Sequence, residues 1–237
     1  MSLQGVRERL ASAAVLCDFD GVLAPIVPLP EDARPLPGFA EALAALAPRV
    51  RTLAVVTGRP SSFVRAHLRV PRLEVAGLYG LEGAPPVDEG LRAAVAAAAA
   101  GEPGARVEDK EAALAVHLRE APDPAAAADR LRDVLAAAGS RAGLVLREGK
   151  RVLELAPPGR GKGAAVLRLA QGADALLVAG DDLADLDAFD AADELADSGL
   201  VVCRVVVGGP ETPTELVARA DLVVEGPSGF LEVLRSL

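Results

Sequence analysis

The stretch Ala14–Ala24, which reads AVLCDFDGVLA, decides the fold that we predict for this chain. It begins with apolar residues and then places two carboxylates, Asp18 and Asp20, before Gly21. A short apolar run that ends at a turn signal is typical of a buried strand in a parallel sheet. Open α/β sheets bind ligands beyond the carboxyl ends of such strands. Side chains two residues apart on an extended segment point the same way, so both carboxylates are expected in one crevice.

Two carboxylates in one crevice repel each other unless a positive group lies between them. A hard divalent cation such as Mg²⁺ prefers oxygen ligands and would serve this purpose. Taken alone, the same four residues, Asp18–Gly21, also fit an ordinary polar turn, because short motifs often arise by chance. The residues that follow the neighbouring predicted strands are therefore needed to choose between a cation site and a polar turn.

Composition restricts the class of protein. Of the 237 residues, 51% are apolar and 25% are charged, which suits a globular protein with a buried core. The net charge of −9 argues against nucleic acid or an anionic membrane as a partner. Cys17 and Cys203 lie in apolar runs, which favours buried thiols in a reducing compartment. Without a signal peptide or an apolar run that could span a bilayer, we expect a cytoplasmic monomer.

Strands and helices alternate along the two ends of the chain, whereas the middle predicts helix, two strands, helix and hairpin. Pro85-Pro86 and Pro157-Pro158-Gly159 are predicted linkers between these parts. We therefore predict an α/β fold with a Rossmann-like core, in which helices cover both faces of a parallel sheet. The core is expected at residues 1–84 and 158–237. An inserted α/β cap of antiparallel strands and two helices is expected at residues 85–157.

Polar residues follow three of the predicted core strands. They are Asp18 with Asp20, Thr57-Gly58-Arg59, and Asp181 with Asp182 and Asp185. Lys162 opens a predicted helix between two glycines. Each could be a turn cap, a solvated helix start or an acid favoured at a helix N-terminus. At one sheet edge, however, carboxylates from two strands can hold one Mg²⁺, and Lys162, a hydroxyl and backbone N–H groups can hold a phosphoryl group.

These motifs resemble the four ordered motifs of the haloacid dehalogenase superfamily of phosphatases. The matching runs are Asp18-Phe19-Asp20-Gly21, Val56-Thr57-Gly58-Arg59, Gly161-Lys162-Gly163 and Gly180-Asp181-Asp182-Leu183-Ala184-Asp185. Further runs over nearly the whole chain are similar to the trehalose-6-phosphate phosphatase family within that superfamily. Among them are Leu23–Ile26, Glu108–Lys110, Ala115–Arg119, Gly149–Leu155 and Asp187–Phe189. The resemblance implies a haloacid dehalogenase core and a Mg²⁺-dependent hydrolase of trehalose biosynthesis that acts on a sugar phosphate, trehalose 6-phosphate.

The resemblance also implies roles for the core residues. Asp18 would be the nucleophile that forms an aspartyl-phosphate, and Asp20 would be the general acid and then the base. Mg²⁺ would be bound by Asp18, by the backbone carbonyl of Asp20 and by Asp181. Thr57, the N–H of Gly58 and Lys162 would hold the phosphoryl oxygens during catalysis. The supporting residues would be Asp182, Asp185 and Arg59.

In the predicted cap, the resemblance implies that five polar residues face the sugar. They are Lys110, His117, Arg119, Lys150 and Glu154. Exposed charges are also common on strand edges for reasons of solubility, and about half of these residues would fit that explanation. The chain departs from the family pattern at Val22 and Ala184, where threonine is usual, at Tyr79, where histidine is usual, and at Gly161, where an acid is usual. These departures leave the substrate preference open.

Other functions fit less of the sequence. A metal-dependent glycosyltransferase would explain Asp18 and Asp20 but leaves Lys162 and the later aspartates unexplained. A P-loop nucleoside triphosphatase requires Ser or Thr after the lysine, where this chain has Gly163, and a glycine at the position of Ala156. Two alternatives stay open: a phosphatase of the same fold that acts on another sugar phosphate or on phosphoglycerate, and a sugar-phosphate sensor without catalytic activity.

Overall fold

The computed structural model describes residues 3–149, 151–159, 161–210 and 212–237. The chain forms two compact units. We call Met1–Glu82 together with Gly161–Leu237 the core unit, and Gly83–Arg160 the cap unit. Lys150, one of the predicted sugar-facing residues, lies outside the described residues.

The described residues form ten strands. In chain order they are β1 (Ala13–Cys17), β2 (Thr52–Val56), β3 (Leu73–Ala76), β4 (Arg106–Asp109), β5 (Leu114–His117), β6 (Val145–Gly149), β7 (Val152–Ala156), β8 (Ala175–Gly180), β9 (Val201–Gly208) and β10 (Leu222–Glu225). The core unit contains a six-stranded parallel sheet in the order β10-β9-β8-β1-β2-β3. The cap unit contains a four-stranded antiparallel sheet in the order β4-β5-β7-β6. Both sheets confirm the predicted fold class.

The described residues also form nine α-helices, two of them in the cap unit. In chain order they are α1 (Leu3–Glu8), α2 (Phe39–Leu46), α3 (Ser61–His67), α4 (Glu89–Ala100), α5 (Pro124–Arg141), α6 (Lys162–Leu169), α7 (Asp185–Asp197), α8 (Thr214–Val217) and α9 (Gly226–Arg235). None of these helices combines the length and the apolar character needed to cross a bilayer.

Helices cover both faces of the core sheet, as the continuous apolar strands predict. All five residues of β1 are buried. Because successive side chains of a strand point to opposite faces, Val15 packs in one apolar cluster with Phe39 and Phe230, and Leu16 packs in another with Phe189. Strands that are apolar on both faces are stable only when both are covered, which is the arrangement of parallel sheets in α/β proteins. The two cysteines are buried and free, as predicted.

The strand order changes direction at β1, which lies between β2 and β8. Cys17, the last residue of β1, is paired with Val55 on one side and with Ala179 on the other. The carboxyl ends of the three strands therefore meet at one edge of the sheet. Such a switch point opens a crevice where ligands of doubly wound sheets bind.

The cap sheet has one apolar face and one polar face. Leu114, Val116, Leu153 and Leu155 point to the apolar side, where they pack with residues of α4 and α5. The alternate positions form a row across the four strands. In register, this row contains Glu108, Ala115, Glu154 and Arg147. The period of two residues thus separates a core-forming face from a charged face.

Two glycines of the cap unit allow backbone strain to be compared with steric collision. Gly104 and Gly143 both have left-handed φ angles, of +79° and +72°. A Cβ at residue 104 would lie 2.2 Å from the carbonyl oxygen of Glu120, whereas one at residue 143 would have no neighbour within 4 Å. We expect Gly143→Ala to lower the free energy of unfolding by about 1–2 kcal/mol through backbone strain alone. Gly104→Ala should cost clearly more, because the loop must also move.

Urea denaturation of both variants measures this difference. Gly143→Ala is the matched control, since it carries the same backbone penalty without the collision. Equal losses of stability in both variants would contradict the contact between Gly104 and Glu120.

Candidate active site

Asp18 lies at the switch point of the core sheet, directly after β1. Its backbone N–H donates to the carbonyl of Ala179 at 3.0 Å, which extends the pairing with β8 by one residue. Its Oδ1 accepts a hydrogen bond from the N–H of Phe19 at 2.6 Å. The residue is only 7% exposed. The chain turns at Gly21, where φ is +70° and a Cβ would lie 1.9 Å from the carboxylate of Asp181.

Lys162, the first residue of α6, joins Asp18 to the second acidic motif. Its Nζ donates to Asp18 Oδ2 at 2.5 Å and to Asp185 Oδ1 at 2.7 Å. Lys162 is 3% exposed and Asp185 is 2% exposed, so water screens this contact poorly. The other oxygen of Asp185 accepts the N–H groups of Asp181 and Asp182 at 2.9 and 3.2 Å. One carboxylate therefore fixes both the lysine and the turn between β8 and α7.

Four carboxylates gather around this lysine. Oxygen atoms of Asp18, Asp181, Asp182 and Asp185 all lie within 4.8 Å of one another. Burial raises the pKa of Asp18 to about 7, although Lys162 acts in the opposite direction. Burial, together with the charges of Asp185 and Asp182, raises the pKa of Asp181 to about 8. The pKa of Asp182 is also raised, chiefly by burial.

The cluster has the composition of a divalent metal site. Its side-chain donors are all carboxylate oxygens, the ligands that hard cations such as Mg²⁺ prefer. The raised pKa values of Asp18 and Asp181 show that negative charge is costly here, since one buried lysine faces four acids. A divalent cation would offset that charge and favour the ionised carboxylates. The residues present therefore fit a divalent cation.

Thr57 follows β2 at the same edge of the sheet. It is 1% exposed, and its N–H donates to the carbonyl of Ala76 at 3.0 Å. Its Oγ1 accepts the N–H of Arg59 at 3.2 Å. Gly58 comes next, and a Cβ at this residue would lie 2.6 Å from the phenol oxygen of Tyr79. The predicted hydroxyl and backbone donor thus lie in a closely packed loop.

Asp20 is not one of the four clustered carboxylates, and it is paired with Arg59. The guanidinium donates to both oxygens of Asp20 at 2.7 Å, and to the carbonyl of Pro30 at 2.5 Å. It also lies 4.6 Å from the ring centre of Phe63, which packs edge-on against Phe19. The sequence predicts Arg59 as a supporting residue, and in the described structure its guanidinium binds the carboxylate of Asp20 and the carbonyl of Pro30.

Three of the five sugar-facing residues predicted in the cap form two close polar pairs. Lys110 Nζ lies 2.7 Å from Glu154 Oε1, with each side chain about one-quarter exposed (25% and 24%). His117 Nε2 lies 2.7 Å from Glu108 Oε2. Arg119 is exposed just beyond β5. Glu108 was not among the predicted residues, although the alternation of β4 places it in the polar row that contains Glu154.

Two further residues of the site were missed from the sequence. Asp187 accepts the N–H of Gly163 at 2.8 Å and so fixes the start of α6 next to Lys162. The sequence shows a glycine at this position, and the structure gives the reason for it. A Cβ at Gly163 would lie 2.6 Å from the carbonyl oxygen of Asp187. Tyr79 lies near Lys162, with its ring centre 5.7 Å from Nζ. The sequence marks Tyr79 only as a departure from the family pattern.

The acidic edge of the parallel sheet, together with an inserted antiparallel unit, defines a haloacid dehalogenase-like protein. Residues 16–100 and 91–219 match the family model described as trehalose-phosphatase. The match covers most of both units. The chain therefore belongs to the trehalose-phosphatase family, as the resemblance predicted.

Curated relatives support this assignment. The chain is 37% identical to a trehalose-phosphate phosphatase of Mycobacterium avium over 204 residues, which cover 75% of this chain and 51% of the relative. It is 38% identical over 203 residues to an uncharacterized glycosyl hydrolase of Mycobacterium tuberculosis, covering 75% of this chain and 15% of that protein. The chain thus spans about half the length of the first relative and a smaller part of the second.

Solved structures show the same fold. A trehalose-6-phosphate phosphatase of Aspergillus fumigatus matches with a TM-score of 0.74 and 26% identity, covering 99% of this chain and 94% of that one. The C-terminal domain of a Candida albicans trehalose synthase regulatory protein matches with a TM-score of 0.57 and 11% identity, covering 99% and 98%. The second match concerns the fold alone. A shared fold does not establish catalysis, so the site residues have to carry the functional argument.

The raised pKa values of Asp18 and Asp181 predict how the stability of the metal-free protein depends on pH. The folded state binds protons that the unfolded state has released, so stability falls as pH rises towards 7–8. In chelator, the unfolding temperature should therefore decrease between pH 5.5 and about pH 8.5. Mg²⁺ should raise it most at the upper pH, where protons no longer compete for the carboxylates.

Thermal melts at several pH values, with chelator or with Mg²⁺, measure both effects. Asp181→Asn is the control variant, because it removes one of the three carboxyl groups whose pKa values are raised. It should show a smaller decrease with pH and a smaller gain from Mg²⁺. A melting temperature that depends on neither pH nor metal would contradict a metal site built from carboxylates with raised pKa values.

Proposed function

We propose that this chain is a Mg²⁺-dependent phosphatase that hydrolyses trehalose 6-phosphate to trehalose and phosphate. The observation that carries the proposal is the buried carboxylate of Asp18, which lies beside Lys162 and three further aspartates at the switch point of the sheet. The names of the relatives, which include trehalose-phosphate phosphatases, support trehalose 6-phosphate as the substrate. Cys17 and Cys203, buried and free, support a reducing, cytoplasmic location.

Asp18 is suited to act as the nucleophile. The N–H of Phe19 orients one carboxylate oxygen, and Lys162 orients the other. In the first step, a carboxylate oxygen of Asp18 would attack phosphorus while the bond to the sugar oxygen breaks, which gives an aspartyl-phosphate and a free sugar. Water would then attack phosphorus, which releases phosphate and restores the carboxylate.

The divalent ion would be held by Asp18, the backbone carbonyl of Asp20 and Asp181, with Asp182 and Asp185 as supporting residues. When bound, it would offset the charge of the phosphoryl group and favour the ionised form of Asp18. Lys162, the hydroxyl of Thr57 and the N–H of Gly58 would hold the phosphoryl oxygens. Donors of this kind stabilise charge that develops in the transition state, because they are oriented before the reaction.

Asp20 would give a proton to the sugar oxygen and later take one from the attacking water. Its carboxylate lies on the same turn as Asp18, and Arg59 holds both of its oxygens. Arg59 is in turn fixed by Pro30 and by the ring of Phe63. We propose that this arrangement keeps Asp20 in a defined orientation between the two proton transfers.

The contributions of Asp18 and Asp20 can be distinguished by comparing substrates with different leaving groups. Asp18→Asn should abolish turnover of every phosphate ester, because an amide does not attack phosphorus. Asp20→Asn should lower turnover of a sugar phosphate on the order of 10²–10⁴-fold, the usual contribution of a positioned acid or base. The loss should be much smaller in the first step with an aryl phosphate, whose leaving group needs little protonation. Burst and steady-state kinetics with both substrates measure these effects.

Arg59→Gln is the matched variant in this test. If Arg59 positions Asp20, the variant should follow Asp20→Asn with a smaller loss that again affects the sugar phosphate more than the aryl phosphate. A residue that only supports the loop would slow both substrates alike. Retained activity in Asp18→Asn would contradict the covalent mechanism.

The core motifs can recognise only the phosphoryl group, the metal and the leaving oxygen. Choice among sugars therefore has to come from other residues, which we propose are Lys110, His117, Arg119, Lys150 and Glu154 of the cap unit. Charged groups that donate or accept several hydrogen bonds suit a disaccharide with many hydroxyls. The pairs Lys110–Glu154 and His117–Glu108 keep three of these five residues, Lys110, His117 and Glu154, oriented.

The substrate assignment is tested with cap variants. Lys110→Ala and Glu154→Ala should strongly reduce kcat/KM for trehalose 6-phosphate and barely change hydrolysis of a small aryl phosphate. Arg130→Ala is the control, because it removes another ion pair of the cap unit, with Glu102, in an exposed position. The unchanged protein should prefer trehalose 6-phosphate to glucose 6-phosphate more than about tenfold, or 1.4 kcal/mol.

Equal rates on the two sugar phosphates would favour a phosphatase of the same class with another substrate. Binding of trehalose 6-phosphate without release of phosphate, in the presence of Mg²⁺, would favour a sensor. Since Asp18 and Asp20 are both present, we place hydrolysis first.

A further inference from the structure

Tyr79 lies in a segment with an unusual backbone. This segment follows β3, and both Leu78 and Tyr79 have left-handed φ angles, of 49° and 54°. Residues other than glycine rarely adopt this conformation, because Cβ approaches the following carbonyl. Such strain persists where surrounding contacts impose it, and these places are often functional sites. The contacts of Tyr79 therefore need an explanation.

The backbone of Tyr79 joins two parts of the candidate active site. Its N–H donates to the carbonyl of Thr57 at 2.8 Å, and its carbonyl accepts the N–H of Gly161 at 2.9 Å. Thr57 precedes Gly58, and Gly161 precedes Lys162. One residue thus fixes the distance between the loop after β2 and the start of α6.

The ring of Tyr79 lies against the ammonium group of Lys162, with 5.7 Å between the ring centre and Nζ. Asp18 and Asp185 accept two hydrogen bonds from the same nitrogen. An aromatic face attracts a cation at this distance, and more strongly where water is excluded. Three groups therefore surround Lys162 and limit where its charge can lie.

The phenol end of Tyr79 lies against Gly58. A Cβ at residue 58 would be 2.6 Å from both Cζ and the hydroxyl oxygen of Tyr79. Gly58 does not have a left-handed φ, so a glycine is needed there for space and not for conformation. Tyr79 thus contacts both Gly58 and Lys162, the two groups that we assign to the phosphoryl oxygens.

We propose that Tyr79 is a phosphoryl-binding residue, in which the hydroxyl donates a hydrogen bond to a phosphoryl oxygen and the ring holds Lys162 in place. This inference rests on the proposed phosphatase function. Burial raises the pKa of Tyr79 to about 12, so the phenol keeps its proton at neutral pH and can act as a donor.

The composition of the chain provides a direct probe. Tyr79 is the only tyrosine, and the chain has no tryptophan, so tyrosine emission reports on this residue alone. Inorganic phosphate, added in the presence of Mg²⁺, should change the emission with a midpoint equal to its inhibition constant against an aryl phosphate. Competitive inhibition by phosphate without any change in emission would overturn the proposal.

Tyr79→Phe keeps the ring and removes only the hydroxyl. We expect phosphate to bind about tenfold more weakly or worse, because a hydrogen bond to a charged group is lost. The loss in kcat/KM should be equal for sugar and aryl phosphates, since they share the phosphoryl group. Tyr79→Leu should lose more, because the contact of the ring with Lys162 disappears as well. Calorimetry with phosphate, and a melt of each variant, give binding and folding separately.

The results separate this proposal from the proposed function. Unchanged phosphate binding in Tyr79→Phe would overturn the hydrogen bond and leave the phosphatase standing. The protein could also bind phosphate with a change in Tyr79 emission and yet show no activity on trehalose 6-phosphate. This result would contradict the substrate assignment and support the role of Tyr79. No binding of phosphate at all in the presence of Mg²⁺ would overturn both.

Discussion

The contact on which the rest of the site depends is that of the buried ammonium group of Lys162 with Asp18 and Asp185. Burying a charge is costly unless partners in good geometry compensate for the lost water. Lys162 has two such partners, and the ring of Tyr79 lies on a further side. In return, the lysine holds the candidate nucleophile and the turn that carries Asp181 in one place. If the lysine were lost, the buried carboxylates of Asp18 and Asp185 would lose their shared positive partner.

Glycines make this close arrangement of charges possible. A Cβ at Gly21 would collide with the carboxylate of Asp181, and one at Gly180 with the carboxylate of Asp185. Gly58 leaves room for the phenol of Tyr79, and Gly163 for Asp187. Gly21, Gly58 and Gly163 thus let separate segments of the site approach each other, and Gly180 lets the turn after β8 close on itself. The glycines in these motifs are therefore as necessary to the geometry as the acids.

The two units divide the work in the function that we propose. In that proposal, the core unit binds the metal and the phosphoryl group, and a phosphoryl group is common to every phosphate monoester. The cap unit, with its antiparallel sheet, presents two polar pairs, Lys110 with Glu154 and His117 with Glu108. A regulatory protein shares the fold, so the fold alone does not separate a catalyst from a sensor. That distinction depends on residues such as Asp18 and Asp20.

The sequence alone determined the parallel core sheet, the antiparallel inserted sheet and the acids at the strand ends. Apolar runs, residue alternation and turn signals are local, so neighbouring residues suffice to reveal them. Only the tertiary structure decided which charges meet. It paired Asp20 with Arg59, and it placed Asp187 and Tyr79 beside Lys162 and its helix. Such contacts join residues that are far apart in the chain, up to 144 positions for Lys162 and Asp18, and no local pattern specifies their distance.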